Sequence, residues 1–135
     1  MLLYYSESPE DTYELGVKLG GLLGSGAVIC LTGDLGAGKT VFVKGIAVGL
    51  GLDNNVTSPT FSLLNVYDSP IPLYHFDLYR LEQEEELDDI GFDEFLEGQG
   101  VTVIEWPDKF PGRMPEEHLT VDIEYVGIVS RIIRI

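Results

Sequence analysis

The sequence predicts a three-layer α/β fold on a mixed, partly parallel central sheet with antiparallel additions. Two short apolar runs, residues 27–31 and 101–104, have the continuous hydrophobic character of buried parallel strands. Two extended segments on either side of a Pro-containing turn at 68–70 predict a hairpin, which a purely parallel sheet would not contain. With 135 residues, we expect one domain over 1–135 that buries a core of useful size.

The composition is strongly acidic. The chain carries 23 Asp and Glu against 8 Lys and Arg, a formal charge of −15. This charge disfavours direct binding to a nucleic-acid backbone and favours a basic protein partner. The single cysteine, Cys30, lies in the first apolar run and is interpreted as a core residue, and a disulfide within the chain is excluded.

No apolar run reaches the length of a membrane span, and the N-terminus lacks the pattern of a signal peptide. We therefore expect a cytoplasmic protein with no membrane partner. The first elements are a short strand at 2–5 and a helix that begins with Ser8 as its cap and Pro9 at its first position. Its apolar face consists of Thr12, Leu15, Leu19 and Leu22.

A phosphate-binding loop is predicted at residues 33–40, which fit the pattern G-x-x-x-x-G-K-[ST]. It follows the first apolar run and precedes a helical pattern, as such a loop requires, and its glycines let successive N–H groups turn towards a polyphosphate. Lys39 is expected to reach the β- and γ-phosphates, and the Thr40 hydroxyl suits a nucleotide-bound Mg²⁺. The candidate nucleotide ligands are Gly33, Asp34, Leu35, Gly36, Ala37, Gly38, Lys39 and Thr40.

Residues 56–61 form a polar connection after the loop helix, and Thr60 is its candidate functional residue. In nucleotide-switch proteins this segment often offers a threonine to Mg²⁺ or to the γ-phosphate. The alternative is a Pro-containing turn whose hydroxyls bond the local backbone. Spacing alone does not separate the two interpretations.

Two carboxylates stand near the ends of predicted strands. Glu105 ends the second apolar run, a Walker B-like position from which it can hold Mg²⁺ and polarise water. Asp77 ends the second strand of the predicted hairpin, where it either orients water or pairs with Arg80. Trp106 follows Glu105 and either packs or faces the nucleotide or a partner, whereas His75 is interpreted as structural.

The remaining chain adds an acidic segment and a C-terminal hairpin. Residues 82–97 contain nine acidic residues and no Lys or Arg, a helical face that either meets a basic partner or is simply solvated. Lys109 and Arg113 lie in an irregular loop and are interpreted as exposed charges rather than transition-state cations. Residues 118–124 alternate in polarity and residues 131–135 can pair with them, so both are expected to be antiparallel additions to the sheet.

Four segments, in this order along the chain, resemble the TsaE (YjeE) family. They are the loop at 33–40, Thr-Ser-Pro-Thr-Phe at 57–61, His-Phe-Asp-Leu-Tyr-Arg-Leu at 75–81 and Ile-Glu-Trp-Pro at 104–107. The resemblance implies a single P-loop ATPase domain with ATP and Mg²⁺ as cofactors. It also implies a requirement for forming N6-threonylcarbamoyladenosine at position 37 of tRNAs that read codons beginning with A.

By the same resemblance, the partner is the TsaD–TsaB complex, which ATP hydrolysis resets between turnovers, and tRNA is involved only indirectly. Lys39 is implied to cradle phosphate, Thr40 and Glu105 to bind Mg²⁺, and Asp77 and Thr60 to act in hydrolysis. The implied nucleotide contacts also include Trp106, Ser8 at the first helix start and Arg131 in the last strand.

Other nucleotide-dependent functions are weighed against this one. A small-molecule kinase would need an acceptor pocket and an Arg-bearing lid, and a GTPase would be expected to carry N-K-x-D; neither pattern is found. A non-catalytic nucleotide-sensing adaptor remains the alternative, because it would use the same loop without turnover. The scarcity of cations predicts slow hydrolysis by the isolated protein and stimulation by a partner.

Overall fold

A seven-stranded mixed sheet forms the centre of the computed structural model, which describes residues 2–34, 36–52 and 63–135. The strands are β1 (Leu3–Ser6), β2 (Val28–Thr32), β3 (Leu64–Tyr67), β4 (Leu73–Asp77), β5 (Val101–Glu105), β6 (Leu119–Tyr125) and β7 (Arg131–Arg134). The helices are α1 (Pro9–Leu22), α2 (Lys39–Gly49), α3 (Glu85–Asp89) and α4 (Phe92–Leu96). Of the described helices, none has the length and hydrophobicity to cross a bilayer.

The spatial order of the strands is β1-β7-β6-β2-β5-β4-β3. β2 pairs in parallel with both β5 and β6, and β4 pairs in parallel with β5. β3 runs antiparallel to β4, and β7 runs antiparallel to β6 and β1. The carboxyl ends of β4, β5, β2 and β6 therefore meet at one edge of the sheet, where ligands bind in open α/β folds.

Each face of the sheet carries its own hydrophobic core, which makes the fold three-layered as predicted. On one face, α2 packs Phe42, Val43 and Ile46 against Ile29 and Leu31 of β2. On the other face, a second core contains Cys30, Phe76, Leu87, Phe92 and Ile104. Burial raises the pKa of the Cys30 thiol to about 11, in keeping with its predicted place in the core.

Helices α1 and α2 approach each other closely through glycine. A Cβ atom on any of four glycines, two per helix, would overlap a backbone carbonyl oxygen of the opposite helix. These glycines recur four residues apart in each helix, so each pair lies on one face. They are Gly16, Gly20, Gly45 and Gly49. The glycines near the end of α1 therefore serve close packing and do not merely weaken the helix.

Two segments differ from the sequence-based expectation. β6 was expected as an antiparallel addition, but it pairs in parallel with β2 beside the predicted loop. The connection after β5 is long enough for a crossover, and an alternating pattern does not reveal the direction of a strand's neighbour. The acidic segment forms two five-residue helices rather than one, because Gly91 takes a left-handed φ of 71° between them.

The helix contact predicts an inverted response to alanine at Gly45. Alanine normally stabilises an interior helix position by about 1 kcal/mol relative to glycine. At Gly45, the new Cβ would overlap the carbonyl oxygen of Tyr13, so we expect Gly45→Ala to lower the free energy of unfolding by about 1–3 kcal/mol.

Urea unfolding followed by circular dichroism measures this change. Gly24→Ala is the matched control, because no heavy atom of the described residues lies within 4 Å of its added Cβ, and we expect a change within about 0.5 kcal/mol. Equal effects of the two substitutions would contradict the proposed role of the glycine contact.

Candidate functional site

The predicted phosphate loop joins β2 to the first residue of α2. Gly38 precedes the helix with a left-handed φ of 104°, and its carbonyl accepts the N–H of Phe42 at 3.0 Å. Gly33 has a φ of 148°, and a Cβ there would lie 2.7 Å from the carbonyl oxygen of Ile123 in β6. Glycine is thus required at both ends of the turn, by conformation and by the close approach of β6.

Lys39 is buried at the start of α2, with a side chain only 6% exposed. Its Nζ lies 3.8 Å from Oε1 of Glu105 and 4.2 Å from the centre of the Trp106 ring. Within the described residues this Nζ has no hydrogen-bond partner. Burial lowers the pKa of Lys39, although Glu105 and Asp77 counteract the shift. A buried ammonium with three donors to satisfy suits an anionic ligand.

Glu105 lies beside Lys39 because β5 is the parallel neighbour of β2. Its Oε2 is 2.5 Å from Nε2 of the fully buried His75, which lies two positions earlier in the β4–β5 register, opposite Val103. The imidazole thus fixes one carboxylate oxygen and leaves the other facing the lysine. His75 was interpreted from the sequence as structural. The structure shows that the residue it supports is Glu105, which spacing along the chain could not reveal.

Asp77 is the register partner of Glu105 on β4. Its Oδ1 accepts the backbone N–H of Tyr79 at 3.0 Å. Burial raises the pKa of Asp77 above its ordinary value of 3.8, and the nearby Glu105 carboxylate acts in the same direction, while the Tyr79 N–H, His75 and Lys39 oppose it. A half-buried acid with a raised pKa beside a second acid is typical of a functional site.

Trp106 turns the chain sharply after β5. It is the one described non-glycine residue with a positive φ, at 60°, and this left-handed conformation is costly for a bulky side chain. The turn places the indole against Lys39 on one side and against the Tyr79 ring, 4.9 Å away between centroids, on the other. Trp106 lines the cavity around Lys39 and also packs against the second core, so it meets both of the interpretations left open.

One cavity of about 310 Å³ brings half of the predicted residues together. Its lining consists of Gly36, Gly38, Lys39, Thr40, Val41, Asp77, Glu105 and Trp106. Gly33 and Asp34 line an adjoining cavity of about 440 Å³, also bounded by Trp106 and by β6. Ala37 is buried under the loop. The arrangement offers an ammonium, loop amides, a hydroxyl and two carboxylates at one edge of the sheet.

The oxygen donors of this cavity would fit Mg²⁺ only together with phosphate oxygens and water. No group of three or more His, Cys, Asp or Glu side chains in the described ranges is arranged to hold a metal ion. Thr40 and Glu105 supply two oxygen donors, with Asp77 as a neighbour. Mg²⁺ usually completes such a set with phosphate oxygens and water, so the donor set suits a metal that arrives with a nucleotide.

Ser8 and Arg131 lie outside that cavity. The Ser8 hydroxyl accepts the N–H of Asp11 and caps α1, as predicted. Arg131 donates from Nε to the carbonyl oxygen of Ala37 at 2.7 Å, so it contacts the loop from β7. Leu35 and Thr60 lie outside the described residues.

The two loop cations bind other parts of the chain, and Arg113, with a side chain only 17% exposed, is not the exposed charge that was expected. Arg113 pairs with Asp88 at 2.8 Å and Asp93 at 2.9 Å, joining the two acidic helices. Lys109 donates to the carbonyl oxygen of Tyr79 at 2.7 Å. Neither is a member of the cavity lining around Lys39.

Known proteins resemble this chain over nearly its whole length. The family described as "Threonylcarbamoyl adenosine biosynthesis protein TsaE" matches residues 6–133. Two proteins named tRNA threonylcarbamoyladenosine biosynthesis protein TsaE are similar: one from Treponema pallidum is 45% identical, covering 93% of each chain, and one from Bacillus subtilis is 42% identical, covering 93% of this chain and 79% of its own. The crystal structure of YdiB from Bacillus subtilis matches with a TM-score of 0.81 and 37% identity, over 98% of this chain and 82% of that one.

The raised pKa of Asp77 predicts that its ionised form destabilises the fold. An acid whose pKa is raised on folding contributes stability to the fold at low pH. That contribution is lost as the pH rises from the ordinary pKa of 3.8 through the pKa in the folded protein. Asp77→Asn removes this titration, so we expect a higher Tm at about pH 7 and a gain that shrinks as the pH falls to about 3.

Thermal unfolding at both pH values measures the difference. Asp108→Asn, a matched change at an exposed carboxyl, is the control. A lower Tm for Asp77→Asn at neutral pH would mean that the bonds of the carboxylate to Tyr79 and its attraction to Lys39 outweigh its burial.

Proposed function

We propose, given that this chain belongs to the TsaE family of threonylcarbamoyl adenosine biosynthesis proteins, that it is a Mg²⁺-dependent ATP hydrolase required for forming N6-threonylcarbamoyladenosine in tRNA. Its hydrolysis acts on the TsaD–TsaB complex and permits repeated turnover there. The tRNA is then a substrate of the complex and not of this chain, which agrees with a charge of −15.

The observation that carries the proposal is the buried ammonium of Lys39, which has no hydrogen-bond partner among the described residues and lies 3.8 Å from the carboxylate of Glu105. It lies at the start of α2, after glycines with positive φ of the kind that direct backbone amides towards phosphate. A β- or γ-phosphate would accept charge-assisted hydrogen bonds from its three donors.

The carboxylates then divide the work of hydrolysis. Mg²⁺ bound to the nucleotide would withdraw charge from the phosphates, and Thr40 and Glu105 are the residues that would hold it. His75 fixes Glu105 from behind, which leaves the other oxygen of Glu105 directed to the cavity. Asp77 orients the attacking water, a role that its raised pKa suits, and we assign Thr60 to sensing the γ-phosphate on sequence grounds alone.

A partner would supply a further cation to the site, because three arginines of the described chain are engaged elsewhere. Arg113 and Arg134 pair with carboxylates, and Arg131 bonds backbone carbonyls. An added cation at the transition state is worth about 10³–10⁵ in rate. We propose that the TsaD–TsaB complex supplies such a charge or orders the residues that replace it.

Glu105→Ala separates an ATPase from a nucleotide-sensing adaptor. Loss of the metal-holding carboxylate should lower the rate of phosphate release by about 10²–10³ while ATP still binds. Binding is measured by the fluorescence of Trp106, the only tryptophan, and turnover by phosphate release. Glu116→Ala, at an exposed acid, is the control. If Glu105→Ala supports full tRNA modification without hydrolysis, the adaptor interpretation is right.

Stimulation by the partner is tested separately. Phosphate release by the isolated chain should be slow. Addition of TsaD–TsaB should raise the rate by about 10-fold or more, because one added cation at the transition state can raise it by about 10³–10⁵. Lys39→Ala with the same partner is the control for contaminating ATPases. A fast rate that the partner leaves unchanged would contradict this part of the proposal.

A further inference from the structure

We propose that Arg131 is a positioning residue that sets the orientation of a phosphate-binding amide in the loop rather than a nucleotide ligand. The inference rests on the proposed function, because it assigns a part of the same site. It depends on where one guanidinium group donates its hydrogen bonds.

Within the described residues, Arg131 makes four hydrogen bonds, all to backbone carbonyl oxygens. Nε donates to Ala37 in the loop at 2.7 Å. Nη1 donates within the β6–β7 turn, to Ser130 at 2.9 Å, Gly127 at 3.2 Å and Ile128 at 3.3 Å. The group also lies 4.5 Å above the Tyr125 ring. One side chain thus ties the loop to the turn between β6 and β7.

The bond to Ala37 fixes the peptide unit between Ala37 and Gly38. A trans peptide is planar, and its C=O and N–H point in opposite directions. Because Arg131 holds the Ala37 carbonyl oxygen on its own side, the Gly38 N–H is directed away from it. Gly38 also lines the cavity around Lys39, so this orientation presents the amide to a phosphate there. Without the bond, a glycine peptide is free to flip.

The electrostatic surroundings support a role at the loop. Arg113 and Arg134 each pair with two carboxylates. Arg131 has no carboxylate partner within the described part of the chain, so its charge is not neutralised locally. A charged donor makes the bond to Ala37 stronger than a neutral one would. The charge also favours anions at the loop, whose residue Ala37 it touches directly.

Arg131→Gln tests the inference, first in the nucleotide-free protein and then by ligand binding. In the free protein we expect the amide resonance of Gly38 to shift and its hydrogen exchange to accelerate, as seen by NMR. We expect the affinities for Mg·ATP and Mg·pyrophosphate to fall together, by about tenfold, as for one lost charge-assisted hydrogen bond. Arg131→Lys keeps the charge and one donor, so its losses should be smaller.

Arg113→Gln is the matched control, since it removes a guanidinium that pairs with Asp88 and Asp93 and lines neither of the two cavities at the loop. It should leave the Gly38 resonance and pyrophosphate affinity unchanged. An unaltered Gly38 amide in Arg131→Gln overturns the inference and indicates direct contact with phosphate. Loss of ATP affinity with pyrophosphate affinity intact overturns it too, in favour of contact with the nucleoside.

A measurement on the unsubstituted protein covers the case in which both Arg131 variants unfold. Coupling is reciprocal, so pyrophosphate bound at the loop should slow hydrogen exchange in the β6–β7 turn. The reporter is the Val126 N–H, which donates to Ser130 at 3.1 Å. Unchanged exchange there overturns the inference. Absence of ATP binding by the unsubstituted protein would instead contradict the proposed function, while the Gly38 readout would still test Arg131.

Discussion

The parallel pairing of β2 with β5 is the constraint on which the site depends. It aligns Leu31 with Glu105, so the strand that leads into the phosphate loop and the strand that ends in an acid finish at the same level. β4 adds Asp77 at the next position of the same edge. Lys39, Glu105 and their neighbours therefore meet by the geometry of the sheet, with no long loop required to hold them. Sites built on rigid strands keep their geometry best.

The loop is held from three directions, and each restraint has a different physical character. β6 approaches the Gly33 backbone so closely that a side chain is excluded. α1 packs on α2 through glycine backbones, which fixes the helix whose first residue is Lys39. Arg131 bonds the Ala37 carbonyl oxygen from β7. Preorganised amides cost no reordering when a phosphate binds, so these restraints favour tight binding.

Local signals in the sequence were sufficient for the elements and for most of the site. The loop pattern, the apolar runs and the strand-end acids Asp77 and Glu105 depend on neighbours along the chain, and the structure brings them together. The direction of β6, the contact of His75 with Glu105 and the bond from Arg131 to Ala37 join residues at least 30 positions apart. Periodicity carries no information about such pairs. The spacing of Gly16 and Gly20, repeated by Gly45 and Gly49, is a local sign of close helix packing that was not among the predictions.

Three residues around the site lower the stability of the fold when no ligand is bound. Lys39 and Asp77 both have pKa values displaced against their charged forms, chiefly by burial, and Trp106 adopts a backbone conformation that a bulky residue avoids. All three lie around the same cavity. A phosphate and its metal would supply charges that reverse both displacements, because the ammonium gains acceptors and the carboxylate gains a cation. Binding of ligand should then stabilise the folded state through the same groups that destabilise it alone. Such stabilisation by the ligand would let a partner distinguish the ligand-bound form from the free form.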